Sequence, residues 1–97
     1  MPKSAKSLPV RQYSGEKWEV EMEPGNWVKC ETKEDAEILS NAPIVMQKSY
    51  EVFLPNKAVA TELEKMAEKL EQYNIGTAVR LFQKRAKLAR GEQNGSL

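Results

Sequence analysis

The chain has no histidine and only one cysteine, Cys30, among its 97 residues. Histidine is the side chain that most often acts as a general base or metal ligand near neutral pH, so most hydrolytic and metal-dependent mechanisms lose a usual component. A single cysteine cannot form an intrachain disulfide, which is typical of a reducing compartment. We therefore expect a cytoplasmic, non-enzymatic protein with no catalytic residue, no metal site, no cofactor and no small-molecule substrate.

Long apolar runs and glycine-rich segments are also missing. The longest uninterrupted apolar segments are three residues long, as at 44–46 and 52–54, whereas a membrane-spanning helix needs about 20 apolar residues. The first residues contain no apolar core of the kind found in signal peptides. The five glycines occur singly, so the chain has no glycine-rich phosphate-binding loop. We expect neither a membrane protein nor a phosphate-loop protein.

Charge is small in total but unevenly distributed. The formal net charge is +1, from 15 basic and 14 acidic residues. Residues 1–15 carry three basic side chains and no acidic one, residues 16–42 carry eight acids against three lysines, and residues 75–97 carry five basic residues against one acid. Because the total charge is too small to attract nucleic acid or anionic membranes, an electrostatic function would have to depend on one of these segments.

The acidic segment has the pattern of a β-hairpin. Between residues 17 and 23, apolar side chains alternate with glutamates, which predicts a strand with one buried and one anionic face. Pro24 and Gly25 then indicate a turn, for which we expect three or four residues because an L-Pro-Gly pair does not favour the two-residue hairpin turns. A second strand follows over 27–31, and we expect Val28 and Cys30 to face inward.

The middle of the chain is predicted to form a short helix and a third strand. Thr32 is a suitable N-cap for a helix from Lys33 to about Asn41, whose Ala36 and Leu39 should face the sheet. The segment 44–54 is rich in β-forming residues, so we predict one strand with a bulge near residue 48, or two shorter strands. This strand should overhang its neighbour and leave an unpaired edge.

The last third of the chain predicts a helical hairpin. Asn56 can cap a long amphipathic helix, Gly76 is expected to end it, and Thr77 is expected to cap a last helix that runs from 78 to about 90. The apolar stripe of the first helix consists of Val59, Leu63, Met66, Leu70 and Tyr73, and that of the second consists of Val79, Phe82, Ala86 and Ala89.

Together these elements predict an α+β fold in the order ββαβαα. It has a small antiparallel sheet of about three strands in the order 2-1-3, a short crossover helix and a C-terminal helical hairpin. We expect a single domain over 15–90, preceded by a basic, flexible leader at 1–14 and followed by a disordered polar tail at 91–97.

The favoured functional hypothesis is a small protein-interaction module, such as an accessory subunit, regulator or inhibitor of a larger assembly. A core of this size is marginal, so a partner protein or a second copy of the chain would complete it. Two surfaces are candidates: the outer hairpin face, where an aromatic residue lies among acids, and the unpaired edge of the third strand. The candidate residues are Glu19, Glu21, Trp27, Tyr50 and Phe53.

The alternative hypothesis is that the basic last helix binds nucleic acid. Its positive side chains could contact phosphates, and its glutamine or an arginine could reach base edges. The candidate residues are Arg80, Gln83, Lys84, Lys87 and Arg90. The pattern does not favour a helix-turn-helix, because the preceding helix is too long for the first helix of that motif.

Overall fold

The computed structural model of the chain describes residues 5–91, and it has an α+β fold with a three-stranded antiparallel sheet, as predicted. The elements are β1 (Val10–Ser14), β2 (Lys17–Glu23), β3 (Asn26–Cys30), α1 (Lys33–Ser40), α2 (Ala42–Tyr50), α3 (Lys57–Gln72) and α4 (Gly76–Arg90). The chain divides into two units, an N-terminal one that ends at Ile44 and a C-terminal one that begins at Val45. Residues 1–4 of the expected leader and residues 92–97 of the expected tail lie outside the described residues.

The strand order is β1-β2-β3, so the predicted order 2-1-3 is wrong. The predicted first strand is indeed central, but its second neighbour is β1, from the segment that we expected to be a flexible leader. β1 has few apolar residues and therefore gives a weak strand signal. It is held by backbone pairing in which Val10 lies opposite Val20, and Gly15, with φ +49°, reverses the chain before β2.

The predicted third strand is also wrong, because most of the segment 44–54 is helical. α2 begins at Ala42 immediately after α1, and Pro43 lies in its first turn, where a missing N–H leaves no hydrogen bond unmade. The residues that suggested a strand face do not share a buried side, since Ile44 and Tyr50 are both exposed. The buried positions of α2 are instead Ala42 and Ser49, two helical turns apart. No overhanging strand edge therefore exists at 44–54.

The core of the N-terminal unit forms where α1 packs on β2. Val20, Ala36 and Leu39 are completely buried there, which confirms the predicted inward faces of the strand and the helix. Thr32 caps α1, with its hydroxyl oxygen accepting a hydrogen bond from the Asp35 amide at 3.0 Å. Cys30 is also buried, so it contributes to this core as a small apolar side chain.

The turn between β2 and β3 is shorter than expected. Only Pro24 and Gly25 separate the two strands, and Gly25 has φ +82°, as the third residue of a Pro-Gly type II turn requires. Because that turn does not match the twist of a regular hairpin, the pairing register shifts between Glu21 and Glu23. Val28 still pairs with Val20, which confirms its inward orientation.

The C-terminal unit contains the predicted helical hairpin of α3 and α4. Asn56 caps α3 as predicted, whereas Gly76 does not end that helix. Asn74, with φ +60°, makes the reversal, and Gly76 is the first residue of α4, so Thr77 is not its cap. The buried residues are Val59, Ala60, Leu63, Met66, Ala67 and Leu70 on α3, and Val79, Phe82, Ala86 and Ala89 on α4.

The cap of α3 gives a direct test of this hairpin. The Asn56 side-chain oxygen accepts a hydrogen bond from the Val59 amide at 3.1 Å. We expect Asn56→Ala to lower the free energy of unfolding by about 1 kcal/mol, measured by urea denaturation. Asn56→Asp should retain nearly full stability, because aspartate is an equivalent cap. Equal losses in the two variants would contradict a capping role.

Candidate protein-interaction surfaces

The outer face of the sheet, on the side opposite α1, is built around an ion pair between an exposed arginine and a buried glutamate. Arg11 on β1 and Lys29 on β3 lie directly opposite Glu19 on β2. The Arg11 Nε lies 2.6 Å from a carboxylate oxygen of Glu19, and the Glu19 side chain is only 7% exposed. The charge of Glu19 is therefore paired with that of Arg11 and its carboxylate is largely covered, so Glu19 is not part of the anionic surface that the hairpin pattern suggested.

Two aromatic rings complete this outer face. The Arg11 guanidinium lies 3.8 Å from the ring centroid of Trp27, and the Lys29 amine lies 5.3 Å from that of Tyr13. Each pair has the geometry of a cation–π contact. Glu21 accepts a hydrogen bond from the Gly25 amide at 2.8 Å and so holds the turn. The face is consequently mixed in charge, because β1 adds a cation that the predicted two-stranded hairpin did not include.

The Arg11–Glu19 pair predicts a specific pattern of stability. Arg11→Ala removes the cation that pairs with the poorly exposed Glu19 carboxylate, so we expect the free energy of unfolding to fall by about 1 kcal/mol. Adding Glu19→Gln in the same chain should restore at least half of that loss, since a neutral amide is less costly to bury. Chemical denaturation of the two single variants and the double variant tests this, and additive losses would contradict the coupling.

In the C-terminal unit, Arg85 of α4 organises the end of α2. Its Nε donates to the hydroxyl oxygen of Ser49 at 3.0 Å, and one terminal nitrogen donates to the Ser49 carbonyl at 2.9 Å. The guanidinium also lies 4.0 Å from the ring centroid of Tyr50. Ser49 is fully buried and donates its own hydroxyl hydrogen to the Met46 carbonyl. These contacts hold the Tyr50 ring in place although most of it faces solvent.

The segment that follows Tyr50 is fixed to α4 at its far end as well. The Asn56 amide donates to the Ala89 carbonyl at 2.6 Å. A Cβ added to Gly91 would come within 3.2 Å of Pro55, so the end of α4 and this segment pack closely. Between the two attachments lies Phe53, which is 97% exposed. Tyr50, three residues earlier, is also mostly exposed, so two aromatic side chains of this part of the chain face solvent.

Two leucines of α4 are also exposed. Leu81 is 58% exposed and Leu88 is 38% exposed, and their spacing of seven residues places them two turns apart on one side of the helix. Arg85, whose guanidinium stacks on the Tyr50 ring, lies between the two leucines in sequence. We call this set the α4 surface and define it as Tyr50, Phe53, Leu81 and Leu88.

Sequence reasoning found only part of this arrangement. The sequence predicts Tyr50 and Phe53 on a strand edge, whereas the structure places them at a helix end and in the following segment. Leu81, Leu88 and Arg85 were missed. The available signal was the two-turn spacing of the leucines on a different side of α4 from Val79 and Phe82. The sheet-face candidates Glu19, Glu21 and Trp27 belong to the N-terminal unit, so the predicted residues form two separate sets.

The residues proposed for nucleic-acid contact are largely accompanied by acids. Arg90 forms an ion pair with Glu64 of α3, and Arg80 lines a depression with Glu71. The groove along the hairpin is lined by Glu64, Ala67, Glu68, Glu71, Gln83, Ala86, Lys87 and Arg90. Lys84 does not line either depression. The glutamates of α3 therefore reduce the positive charge that α4 presents on that side.

Comparisons of the chain with protein-family models, with curated proteins and with solved structures found no match. No helix in the described part of the chain has the length and apolar character needed to cross a bilayer. Within residues 5–91, no three potential metal ligands of the histidine, cysteine, aspartate and glutamate types lie together.

Proposed function

We propose that this protein is a non-enzymatic interaction module that binds a different protein through the α4 surface, as an accessory subunit or regulator. The observations that carry the proposal are the exposure of Phe53, Tyr50, Leu81 and Leu88, and the contact by which Arg85 of α4 holds the Tyr50 ring. Aromatic residues and arginine contribute most of the binding energy at protein interfaces, and contiguous exposed apolar side chains mark such interfaces. The cytoplasmic location expected from the single cysteine stays a prediction.

Part of the α4 surface is held in place by contacts within the protein. Arg85 fixes the Tyr50 ring, and the Asn56–Ala89 hydrogen bond fixes the far end of the segment that carries Phe53. Ordering flexible side chains at an interface costs about 0.5–1.5 kcal/mol for each one, so a surface that is already ordered retains more of its contact energy. This favours a binding role over simple tolerance of exposed apolar residues.

The positive charge of α4 argues against a second copy of the chain as the molecule that binds the α4 surface. A two-fold, antiparallel pairing of α4 through Leu81 and Leu88 would bring the residues midway between them, Lys84 and Arg85, against their own copies. Like charges placed face to face are unfavourable at an interface. We therefore assign the α4 surface to a different protein.

Nucleic-acid binding through α4 remains the alternative function, but the geometry favours it less. Glutamates of α3 line the same groove as Gln83, Lys87 and Arg90, and these acids would repel a phosphate backbone. The crosslinking experiment below would detect nucleic acid as an adduct of position 53.

Site-specific photo-crosslinking tests the proposal. A photoreactive phenylalanine at position 53 of the full chain should form an adduct with one protein from the source cells, and the same group at Tyr13, on the sheet face, should not. The captured protein is then purified and mixed with the unmodified chain. We expect a complex with one copy of each by light scattering, with its formation abolished by Leu81→Ser.

Three results would overturn this assignment. They are an adduct of position 53 with a second copy of the chain, an adduct with nucleic acid, and no specific adduct at position 53. A partner that reacts only with position 13 would transfer the binding role to the sheet face.

A further inference from the structure

Leu81 and Leu88 form a straight apolar stripe along α4 with defined neighbours on both sides. A rise of about 1.5 Å per residue places the two leucines roughly 10 Å apart along the helix axis. At 100° per residue, Arg85 with the stacked Tyr50 ring lies on one flank of the stripe and Lys84 lies on the other. The α4 surface is therefore an apolar strip bordered by positive charge.

The positive charge at this strip is not neutralised within the protein. Among residues 5–91, neither Lys84 nor Arg85 has a carboxylate at ion-pair distance. Arg85 is hydrogen-bonded only to the neutral hydroxyl and carbonyl oxygens of Ser49, so its full charge remains. The acid next to Tyr50 in the sequence, Glu51, accepts a hydrogen bond from Gln47. A partner that brings carboxylates to this strip would supply the missing counter-charges.

The secondary structure of the C-terminal unit restricts the shape of the occupant. Within residues 45–91 the regular elements are helices, with no strand, so an extended peptide finds no sheet edge with which to pair. Side chains spaced two turns apart on a helix match the ridges of a second helix laid alongside it. Recognition of this kind uses apolar anchors at positions i, i+3 or i+4, and i+7 of the bound helix.

We infer that the α4 surface receives an amphipathic helix of the partner whose apolar stripe packs on Leu81 and Leu88, with Tyr50 and Phe53 at its side, and whose acidic residues face Lys84 and Arg85. This inference rests on the proposed function and adds to it the chemical class of the bound segment.

Two synthetic helical peptides of 21 residues serve as probes. Both have the same alanine-rich backbone and the same leucines at i, i+4, i+7 and i+11, and they differ only in whether the flanking positions carry glutamate or lysine. Binding to the full chain is measured by fluorescence anisotropy at low and physiological salt. We expect the acidic peptide to bind at least about tenfold more tightly than the basic one, with the preference reduced at higher salt.

Charge reversal in the protein supplies the matched control. Lys84→Glu should abolish or reverse the preference for the acidic peptide. Lys65→Glu makes the same charge change on the exposed side of α3 and should leave the preference intact. Both positions are exposed, so we expect unchanged melting temperatures, which shows that any loss of binding is not a loss of folding.

The outcomes separate this inference from the proposed function. Equal affinity for the two peptides, tighter binding of the basic peptide, or no binding of either one would overturn the acidic-helix inference. The proposed function would still be tested by the crosslinking result at position 53, because that result does not depend on the charge or the secondary structure of the bound segment.

Discussion

Leu63→Ala is expected to lower the free energy of unfolding by about 3 kcal/mol, whereas the same truncation at Leu81 is expected to change it by less than about 0.5 kcal/mol. Leu63 is completely buried between α3 and α4, so its truncation removes apolar contacts and leaves a cavity. Leu81 is mostly exposed, so its truncation leaves no cavity and retains alanine, a good helix former.

The comparison uses the same chemical change in two helices of one hairpin. Urea denaturation of the full chain, followed by far-ultraviolet circular dichroism, gives the free energy of unfolding of both variants. A large loss for Leu81→Ala would mean that its side chain is covered in solution, which would contradict the exposed strip on which the binding proposal depends. A small loss for Leu63→Ala would contradict the assigned core.

The second large effect concerns binding of the partner identified through position 53. We expect the double variant Phe53→Ser, Leu81→Ser to weaken that affinity by at least about 100-fold, which corresponds to roughly 2.7 kcal/mol. Each substitution removes an exposed apolar anchor, and truncating a hot-spot residue at the centre of an interface costs about 2 kcal/mol or more. Isothermal titration calorimetry with the purified partner gives the measurement.

Trp27→Ser is the matched control for this loss of affinity. It removes a large aromatic side chain from the outer face of the sheet, in the N-terminal unit, and should leave the affinity within about twofold if its fold is maintained. A double variant that binds as well as the unaltered chain would contradict the proposal. A large loss for Trp27→Ser alone would point to the sheet face as the binding surface.

Some elements of this fold could be predicted because the residues on one face of the element determine them. The stripe from Val59 to Leu70 has a helical period over the whole of α3, and local periodicity is sufficient to locate such a helix. The same holds for β2, where three apolar residues alternate with glutamates, and for the Thr32 cap of α1. Each of these features depends on residues that are close together in the sequence.

The missed elements depend on distant partners instead. β1 has a weak pattern of its own and is stabilised by pairing with β2. α2 has β-forming residues, but its buried Ser49 accepts a hydrogen bond from Arg85, which is 36 residues away. Propensity is a weak guide where tertiary contacts decide the conformation. The errors at β1 and over 44–54 together gave the wrong sheet order, and they placed Tyr50 and Phe53 on a strand rather than at a helix end and in the segment that follows it.

The candidate surfaces were predictable to the same limited extent. Aromatic composition drew attention to Tyr50 and Phe53, whereas Leu81 and Leu88, the other members of the α4 surface, come from the other end of the unit. The anionic face expected on the hairpin was altered by Arg11, which reaches Glu19 from β1. A sequence pattern shows which side chains lie on one face of an element, but not which side chains a separate element brings to it.

Nuclear magnetic resonance titration of the isotope-labelled full chain with its purified partner tests the central claim most directly. The account predicts that the amide signals of Phe53, Leu81, Lys84 and Leu88 and the methyl signals of the two leucines shift progressively and saturate at one partner for each chain, while the amide signal of Trp27 changes little. Shifts confined to the outer sheet face, around Arg11 and Trp27, would contradict the assignment of the α4 surface as the binding site.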